Sequence, residues 1–555
     1  MVKSGIIYPF GMGFWGPNGH DGIWHIALIN HLSQVSLEMP IYAGEQIKNY
    51  HIGFDLLLAV IHKLTQIPAH TLYFQILPPI LAVAIGWLTY KFVLLWRDSK
   101  IQAWWATFFV YFAGDFGWVL TLARGDGFGG ESLFWAQQAV SMLINPPFAA
   151  SLAILLFGMI LLLKLHSPIT NHQSLITILA LSILVFGVLV EIKVYAGILA
   201  LAGLGSAGLY TLLRNRKSHL LFICVLSGVV SWLLFLPLNS ASKGLIVFQP
   251  FWFLETMMAV SDRVGWDRFY EALMNYNTGN VWIKLIPAYL AAFLIFFIGN
   301  MGTRIIGLWG IFKNKKWRDF SEIDIFLLTI ALAGTILPMV VLQSGTPWNT
   351  IQFFYYSLFV ISIYAGLWVG QLFGRSHPNT LVYWGIAAIV ILTIPTTTST
   401  LVRHYLPPRP PAKISIEELE ALNFLAEQPR GVVLTYPFDK AKADAAVNNP
   451  PRPLYLYEST AYVSAFSGKP VFLEDEVNLN ITGFSWRHRR EESKIPLESL
   501  NQDEVRDFLM SNKIKYLYLV LTQTPVFGQR FRLGESQLGL TNIYENSEVV
   551  IYQVN

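Results

Sequence analysis

The chain has 555 residues, of which 54% are hydrophobic and only 13% charged, against about 25% charged in soluble domains. That balance excludes an ordinary soluble enzyme and describes a polytopic membrane protein. The net charge of +4 is small and scattered, with no basic patch interleaved with aromatics, so nucleic acid is not an expected partner.

The N-terminal region, 1–70, holds two polar islands. The first, residues 16–25, reads Gly-Pro-Asn-Gly-His-Asp-Gly-Ile-Trp-His and leads into a helix with Trp24, Leu28 and Leu32 on its apolar face. Asp21 has two readings. It can cap the helix that begins near Gly22, or, flanked by His20 and His25, it can accept a proton from an acceptor hydroxyl or help to hold a divalent metal. The second island, residues 42–55, gathers Glu45, Lys48, Tyr50 and His51. It is either a solvated loop with interfacial aromatics or the second half of the same site. Residues 53–67 are apolar but short and interrupted by Asp55, His62 and Lys63, which predicts an interfacial or packed helix rather than a span.

A transmembrane helix needs about 20 largely apolar residues. Such runs occur at 71–95, 101–122, 146–165, 174–190, 192–212, 219–238, 282–311, 323–342, 350–373 and 380–402, a domain of about ten spans over 71–402. Arg97, Lys100, Lys164, Arg214, Arg216, Lys217, Lys313, Lys315, Lys316, Arg318 and Arg375 all fall in connections on one side, which the positive-inside rule makes cytoplasmic. The segments 1–70, 123–145, 191–193, 239–281 and 343–349, and everything after about 403, are then expected outside. An outer N-terminal region of this length calls for either an exported tail or a helix upstream of this sequence, and the second is the expectation. The 18 tryptophans and 24 tyrosines suit two aromatic belts at the headgroups.

The outer connections carry the remaining polar groups. Asp115 stands inside an apolar run, with Arg124, Asp126 and Glu131 following. An acid at membrane depth costs a few kcal/mol, about 3, on insertion scales and marks a functional site by default, although Asp115 can also be read as a buried partner of Arg124. The glycine run 125–130 lacks the Gly-Lys-Ser/Thr of a phosphate loop. Gln137, Gln138 and Asn145 read as helix caps and a helix start. Glu191 and Lys193 sit at the junction of two spans, where they can pair with each other or Lys193 can offer an ammonium to a phosphate. The 239–281 loop mixes Trp252, Glu255, Asp262, Arg263, Trp266, Asp267 and Arg268, and Trp348 and Gln352 lie at the polar outer start of another span.

A proline-rich linker, 403–412, ends the membrane domain. Residues 413–555 then alternate helix (417–427), strand (431–436), helix (502–511), strand (514–521) and a hairpin at 544–552 around an Asn-Ser turn. That is enough for a small extramembrane α/β domain.

With the acidic segment Gly19-His20-Asp21-Gly22, the Asn49-Tyr50-His51-Ile52-Gly53 segment, about ten spans and a C-terminal α/β domain containing Ile514-Lys515-Tyr516-Leu517-Tyr518 and Tyr544-Glu545-Asn546, the chain resembles the GT-C superfamily of membrane glycosyltransferases. That group includes protein mannosyltransferase-like and lipid A arabinosyltransferase-like enzymes. The resemblance implies a multi-pass protein of the cell membrane with its C-terminal domain on the extracytoplasmic side. It implies inverting transfer of a sugar from a polyprenyl-phosphate donor to a glycan, lipid or protein acceptor, with a divalent metal as a possible cofactor. By the same resemblance Asp21 is the base, Asp115 or Glu131 the second acid, and Lys193 a phosphate contact. His20, His25, Glu45, Tyr50, His51, Trp348 and Gln352 complete the expected substrate-binding set. The competing expectation is a transporter or scaffold for lipid-linked glycans, although acids gathered at one face without internal repeats favour the enzyme.

Overall fold

The computed structural model describes residues 1–166, 172–216, 219–239, 244–313, 319–374, 380–499, 501–523 and 538–555. Lys217, Lys315, Lys316, Arg318 and Arg375, five of the cations used above to assign sides, lie outside the described residues. The chain divides into two compact units, one of residues 1–79, 238–242 and 407–555 and one of residues 80–237 and 243–406. The strands, in chain order, are β1 Ile6–Tyr8, β2 Gly11–Phe14, β3 Ile246–Phe248, β4 Val341–Gln343, β5 Ala412–Ile414, β6 Val432–Leu434, β7 Arg452–Pro453, β8 Ile514–Val520, β9 Leu540–Glu545 and β10 Val549–Val554.

In the first unit the N-terminal region and the C-terminal domain, expected as separate bodies, are stitched together by backbone pairing. The β1–β2 hairpin places β2 antiparallel to β5, with Met12 opposite Ile414, so the exposed edges of two short strands satisfy each other. Gly11 makes this approach possible: its φ is +107°, and a Cβ there would lie 2.1 Å from the Ile414 carbonyl oxygen. The proline cluster is anchored as well, because Lys3 Nζ and Trp15 Nε1 each donate to the Pro407 carbonyl at 2.7 Å. A second sheet runs β6-β8-β10-β9, with β6 and β8 parallel and the other pairs antiparallel. Its β9–β10 hairpin turns at Asn546, whose side-chain oxygen accepts from the Glu548 and Val549 amides at 3.0 and 2.8 Å. Helices fall where the sequence places them, at Ile416–Glu427 with Ser415 as its cap and at Gln502–Ser511 capped by Asn501.

Two helices of the N-terminal region complete this unit. Helix α1, Asp21–Ser33, is buried on nearly every face rather than along one stripe. Helix α2, Gly53–Thr65, is the short apolar segment expected to pack rather than span, and it leans on α1 through the His25–Asp55 contact.

The second unit is helical. Among the described residues nine helices are long and apolar enough to cross a membrane, or ten if Lys100–Phe112 and Gly117–Arg124, bent by 45°, count as one broken span. They coincide with the runs read from the sequence. The protein is a multi-pass α-helical membrane protein with a sheet-containing C-terminal region. The break at 113–116 is the one feature that a continuous apolar run conceals. It closes on glycine: the Gly130 carbonyl oxygen lies 2.0 Å from where a Gly117 Cβ would be, so no larger residue fits there without moving the 125–137 loop. Asn145 caps the Pro146–His166 helix by accepting from the Phe148 amide at 3.0 Å, as expected, whereas Gln137 makes no capping bond to the Gln138–Ile144 helix.

Candidate functional site

In the first unit the site begins with α1. Asp21 is its first residue and not its cap; the cap position belongs to His20, whose side chain makes no capping bond. His20 instead joins two carboxylates. Its Nδ1 lies 3.0 Å from Asp21 Oδ1 and its Nε2 3.2 Å from Asp475 Oδ1. Burial would lower the His20 pKa, but the Asp475 charge and the hydrogen bonds to Asp21 and Asp475 overcome it and hold the imidazole well above its ordinary value. That shift favours the protonated imidazole, placed between the two carboxyl groups. Asp475 is fully buried, and its second oxygen accepts from Asn478 Nδ2 at 2.8 Å, while the Asp21 side chain is 50% exposed. The result is one solvent-facing carboxylate steadied from behind by a buried acid.

The other expected residues of this unit divide. His25 Nδ1 contacts the buried Asp55 at 2.8 Å and the ring stacks on Tyr73 at 5.3 Å, which commits it to packing α2 and the start of the first span against α1. Tyr50 sets its ring edge-on to Trp24 at 5.5 Å and stacks on His51 at 4.7 Å, so these two stand over α1 just after Asp21. Glu45 is exposed on a turn in which its carbonyl accepts from the Met39 amide.

In the second unit Asp115 and Glu131 come together. Both line one narrow cavity, with Gln137, Gln138, Asn300 and Arg304. Asp115 Oδ1 accepts from the Gly117 amide at 2.8 Å, which fixes the carboxyl at the break in the span. Arg124 is not its partner, since it donates to the carbonyls of Arg263 and Val264. Burial pushes the Glu131 carboxyl up to about 7, with Thr400 opposing and the Asp115 charge adding to the rise, which suits a proton donor or acceptor near neutrality. Lys193 is buried at the junction of two spans, 5.9 Å from the Tyr195 ring, and Tyr195 meets Phe353 edge-on at 4.8 Å. Gln352 precedes Phe353 at the start of its helix, and Trp348 on the preceding turn is 48% exposed. Lys193, Trp348 and Gln352 are not among the residues lining the Asp115–Glu131 cavity.

Two residues were not anticipated. Asp475 lies 455 positions from His20 and adopts a left-handed backbone, φ 47°; nothing local in the sequence announces either fact. Arg304 was legible, as a lone arginine inside the apolar run 282–311. It is 2% exposed and spends its guanidinium on the carbonyls of Ala113, Gly114 and Asn300 and on Ser362 Oγ, so it holds the broken span around Asp115. Among the described residues no group of three or more His, Cys, Asp or Glu side chains is placed to hold a metal ion.

No protein-family model matches the chain, and no curated protein matches it by sequence. Among solved structures, the oligosaccharyltransferase of Archaeoglobus fulgidus in complex with Zn and sulfate superposes with a TM-score of 0.51 at 13% identity, covering 100% of this chain and 71% of that one. The chain shares the fold of that oligosaccharyltransferase. The apo form of the same oligosaccharyltransferase gives a TM-score of 0.48 at 12% identity over 99% and 72% of the two chains. ArnT from Cupriavidus metallidurans bound to undecaprenyl phosphate gives 0.35 at 11% over 98% and 94%. At 13% identity the likeness to the Zn- and sulfate-bound oligosaccharyltransferase is one of fold.

Proposed function

We propose that the protein transfers a sugar from a polyprenyl-phosphate donor to a hydroxyl-bearing acceptor at the outer face of the membrane. The observation that carries this reading is the half-exposed Asp21 carboxylate, held at the first turn of α1 by His20 and a buried Asp475. In that role Asp21 removes the acceptor hydroxyl proton as the oxygen attacks the sugar anomeric carbon; the bond from that carbon to the phosphate oxygen breaks, and the lipid phosphate leaves. His20 and Asp475 orient the carboxylate. The fold, shared with an oligosaccharyltransferase, supports the reaction class.

The membrane unit supplies features that suit a lipid-borne donor. An entirely apolar groove of about 400 Å³ opens between the helices Pro146–His166 and His172–Ile192, lined by Ala153, Phe157, Leu184 and Val188 among others. Lys193 follows the end of the second of these helices, about 7 Å along the axis beyond Val188 at 1.5 Å per residue, and is the proposed phosphate contact. Glu131 is the proposed second acid and Asp115 its neighbour. The C-terminal region is proposed to lie on the extracytoplasmic side with Asp21, a reading supported by the charge pattern of the connections. A divalent metal would need ligands beyond His20, both of whose ring nitrogens face carboxylates.

The test is Asp21→Asn in the full chain reconstituted in lipid, assayed with a polyprenyl-phosphate sugar. Transfer should fall by at least about 100-fold, as loss of a general base does, with the far-ultraviolet circular dichroism unchanged. Wild-type turnover in that variant would remove Asp21 from the role of base.

A further inference from the structure

Helix α2 buries one face and leaves the other bare. Phe54, Asp55, Leu58 and Ala59 are buried, with Asp55 Oδ1 2.8 Å from His25 Nδ1. At about 100° per residue, Leu56, Leu57, Val60 and Leu64 fall on the opposite side. All four are exposed, from 46% at Leu56 to 79% at Leu64. No acid interrupts that side, and the exposed Lys63 flanks it. A contiguous apolar patch left open by the fold marks a docking face.

The path of the chain identifies what covers it. Before α2, the Asn49 amide donates to the Leu238 carbonyl at 2.6 Å, and Leu238 is the penultimate residue of the membrane-length helix His219–Asn239. Only Tyr50, His51 and Ile52 separate Asn49 from the start of α2. After α2, three residues, at most about 14 Å of chain, lead from Thr65 to Ala69, where the span Ala69–Arg97 begins. Both ends of this helix, about 20 Å long, are therefore moored at the ends of membrane spans. A helix so moored lies where lipid headgroups meet acyl chains. A bare aliphatic face at that level meets lipid, as the exposed Ile80 and Val83 of the span do.

We propose that α2 is an interfacial helix whose Leu56, Leu57, Val60 and Leu64 insert among the acyl chains of the adjoining leaflet, with the Lys63 ammonium among the lipid phosphates. A lysine can lay its stem along apolar surface and keep its charged end at the headgroups. The inner face of the same helix holds α1 through Asp55 and His25, about one turn after Asp21. The depth at which α2 sits therefore sets the height of the Asp21 carboxylate above the lipid and, on the transfer reading proposed above, the fit of that base to a lipid-borne donor.

The experiment is spin-label accessibility on the full chain in nanodiscs of phosphatidylethanolamine and phosphatidylglycerol, with Cys224→Ala removing the single native thiol. Labels at Leu57→Cys and Leu64→Cys should collide with oxygen in preference to a water-soluble nickel chelate. A label at Val83→Cys in the span should do the same, and one at the exposed Asp503→Cys the reverse. A chelate-favoured ratio at Leu57 and Leu64 would overturn the proposal, and so would exclusion of both reagents, the mark of a protein partner or second copy on this face. The depth-setting role is tested in Leu57→Gln/Leu64→Gln. Both positions are exposed, so the fold is kept, while a Val60→Cys label in that variant should turn towards the chelate as the helix lifts. With that shift, kcat for sugar transfer should fall by about tenfold or more, the scale of a misplaced catalytic group. Unchanged kcat in a lifted helix would overturn the depth-setting role. Absence of transfer by the wild type would instead remove the reaction proposed for Asp21, and the accessibility ratios alone would decide where α2 sits.

Discussion

Two buried aspartates in the membrane unit behave differently, and the contrast shows how to read such acids. Asp324 is 1% exposed at the start of the Glu322–Val340 span and is saturated. It accepts from Arg97 Nη2 at 3.0 Å, from Tyr364 Oη at 3.0 Å, and from both the amide and the hydroxyl of Ser321 at 3.0 and 2.8 Å. Asp115 is nearly as buried, at 6%, but its carboxyl is met by the Gly117 amide, the Thr396 side chain and its own amide, with no arginine bonded directly to it, and opens on a cavity shared with Glu131. Burial alone therefore does not tell the two apart. What distinguishes them is that an arginine is bonded to one and a cavity opens on the other.

That difference can be broken from either side. The largest expected effect is in Asp115→Asn, which keeps the shape of the side chain and its contact with Gly117; sugar transfer should fall by about 100-fold while the thermal midpoint in nanodiscs barely moves. Asp324→Ala should do the opposite. Removing one partner strands Arg97 and costs about 3–5 kcal/mol, seen as a lowered unfolding midpoint, while turnover per folded molecule stays within about twofold, since the acid touches no reacting group. Should Asp324→Ala lose turnover without losing stability, the distinction drawn from bonding would be wrong. A finer test uses pH. Glu131, pushed up to about 7 by burial, is protonated below that value and suited to donate a proton. The transfer rate should fall as pH rises through about 7, and that limb should vanish in Glu131→Gln, measured as kcat/KM against pH.

The same contrast explains what the sequence could disclose. The spans were legible because a run of about 20 apolar residues has few other uses, and the terminal hairpin was legible because Asn546-Ser547 punctuates two β-rich runs. Asp21 was conspicuous for its setting between Gly19 and Gly22, and Asp115 for its apolar neighbours. Their partners were not conspicuous. Asp475 reaches His20 only because β2 pairs with β5 and draws the two ends of the chain into one unit, a contact without local signature. The bend at 113–116 was hidden for a related reason: Ala113, Gly114 and Phe116 all suit an apolar helix, and the break is enforced from outside by Arg304, which takes the Ala113 and Gly114 carbonyls.

A third buried carboxyl, in the extramembrane unit, extends the rule to stability. Glu418 is 2% exposed and its Oε1 has no hydrogen-bond partner among the described residues. Burial, with the Glu548 charge adding to it, pushes its pKa up to about 8 from an ordinary value of 4.5. The folded protein thus keeps a proton there that the unfolded chain releases above 4.5. Between those two values the native state binds more protons than the unfolded state, so stability falls as pH rises, by up to about 1.4 kcal/mol per pH unit. Below 4.5 both states are protonated and the effect disappears. Glu418→Gln should flatten this dependence, read as the unfolding midpoint of the full chain in nanodiscs from about pH 5 to about pH 8. Asp324→Asn, made at an acid bonded by Arg97, Tyr364 and Ser321, should lower the whole curve. Parallel slopes for wild type and Glu418→Gln would mean that the Glu418 carboxyl finds compensation in the folded state.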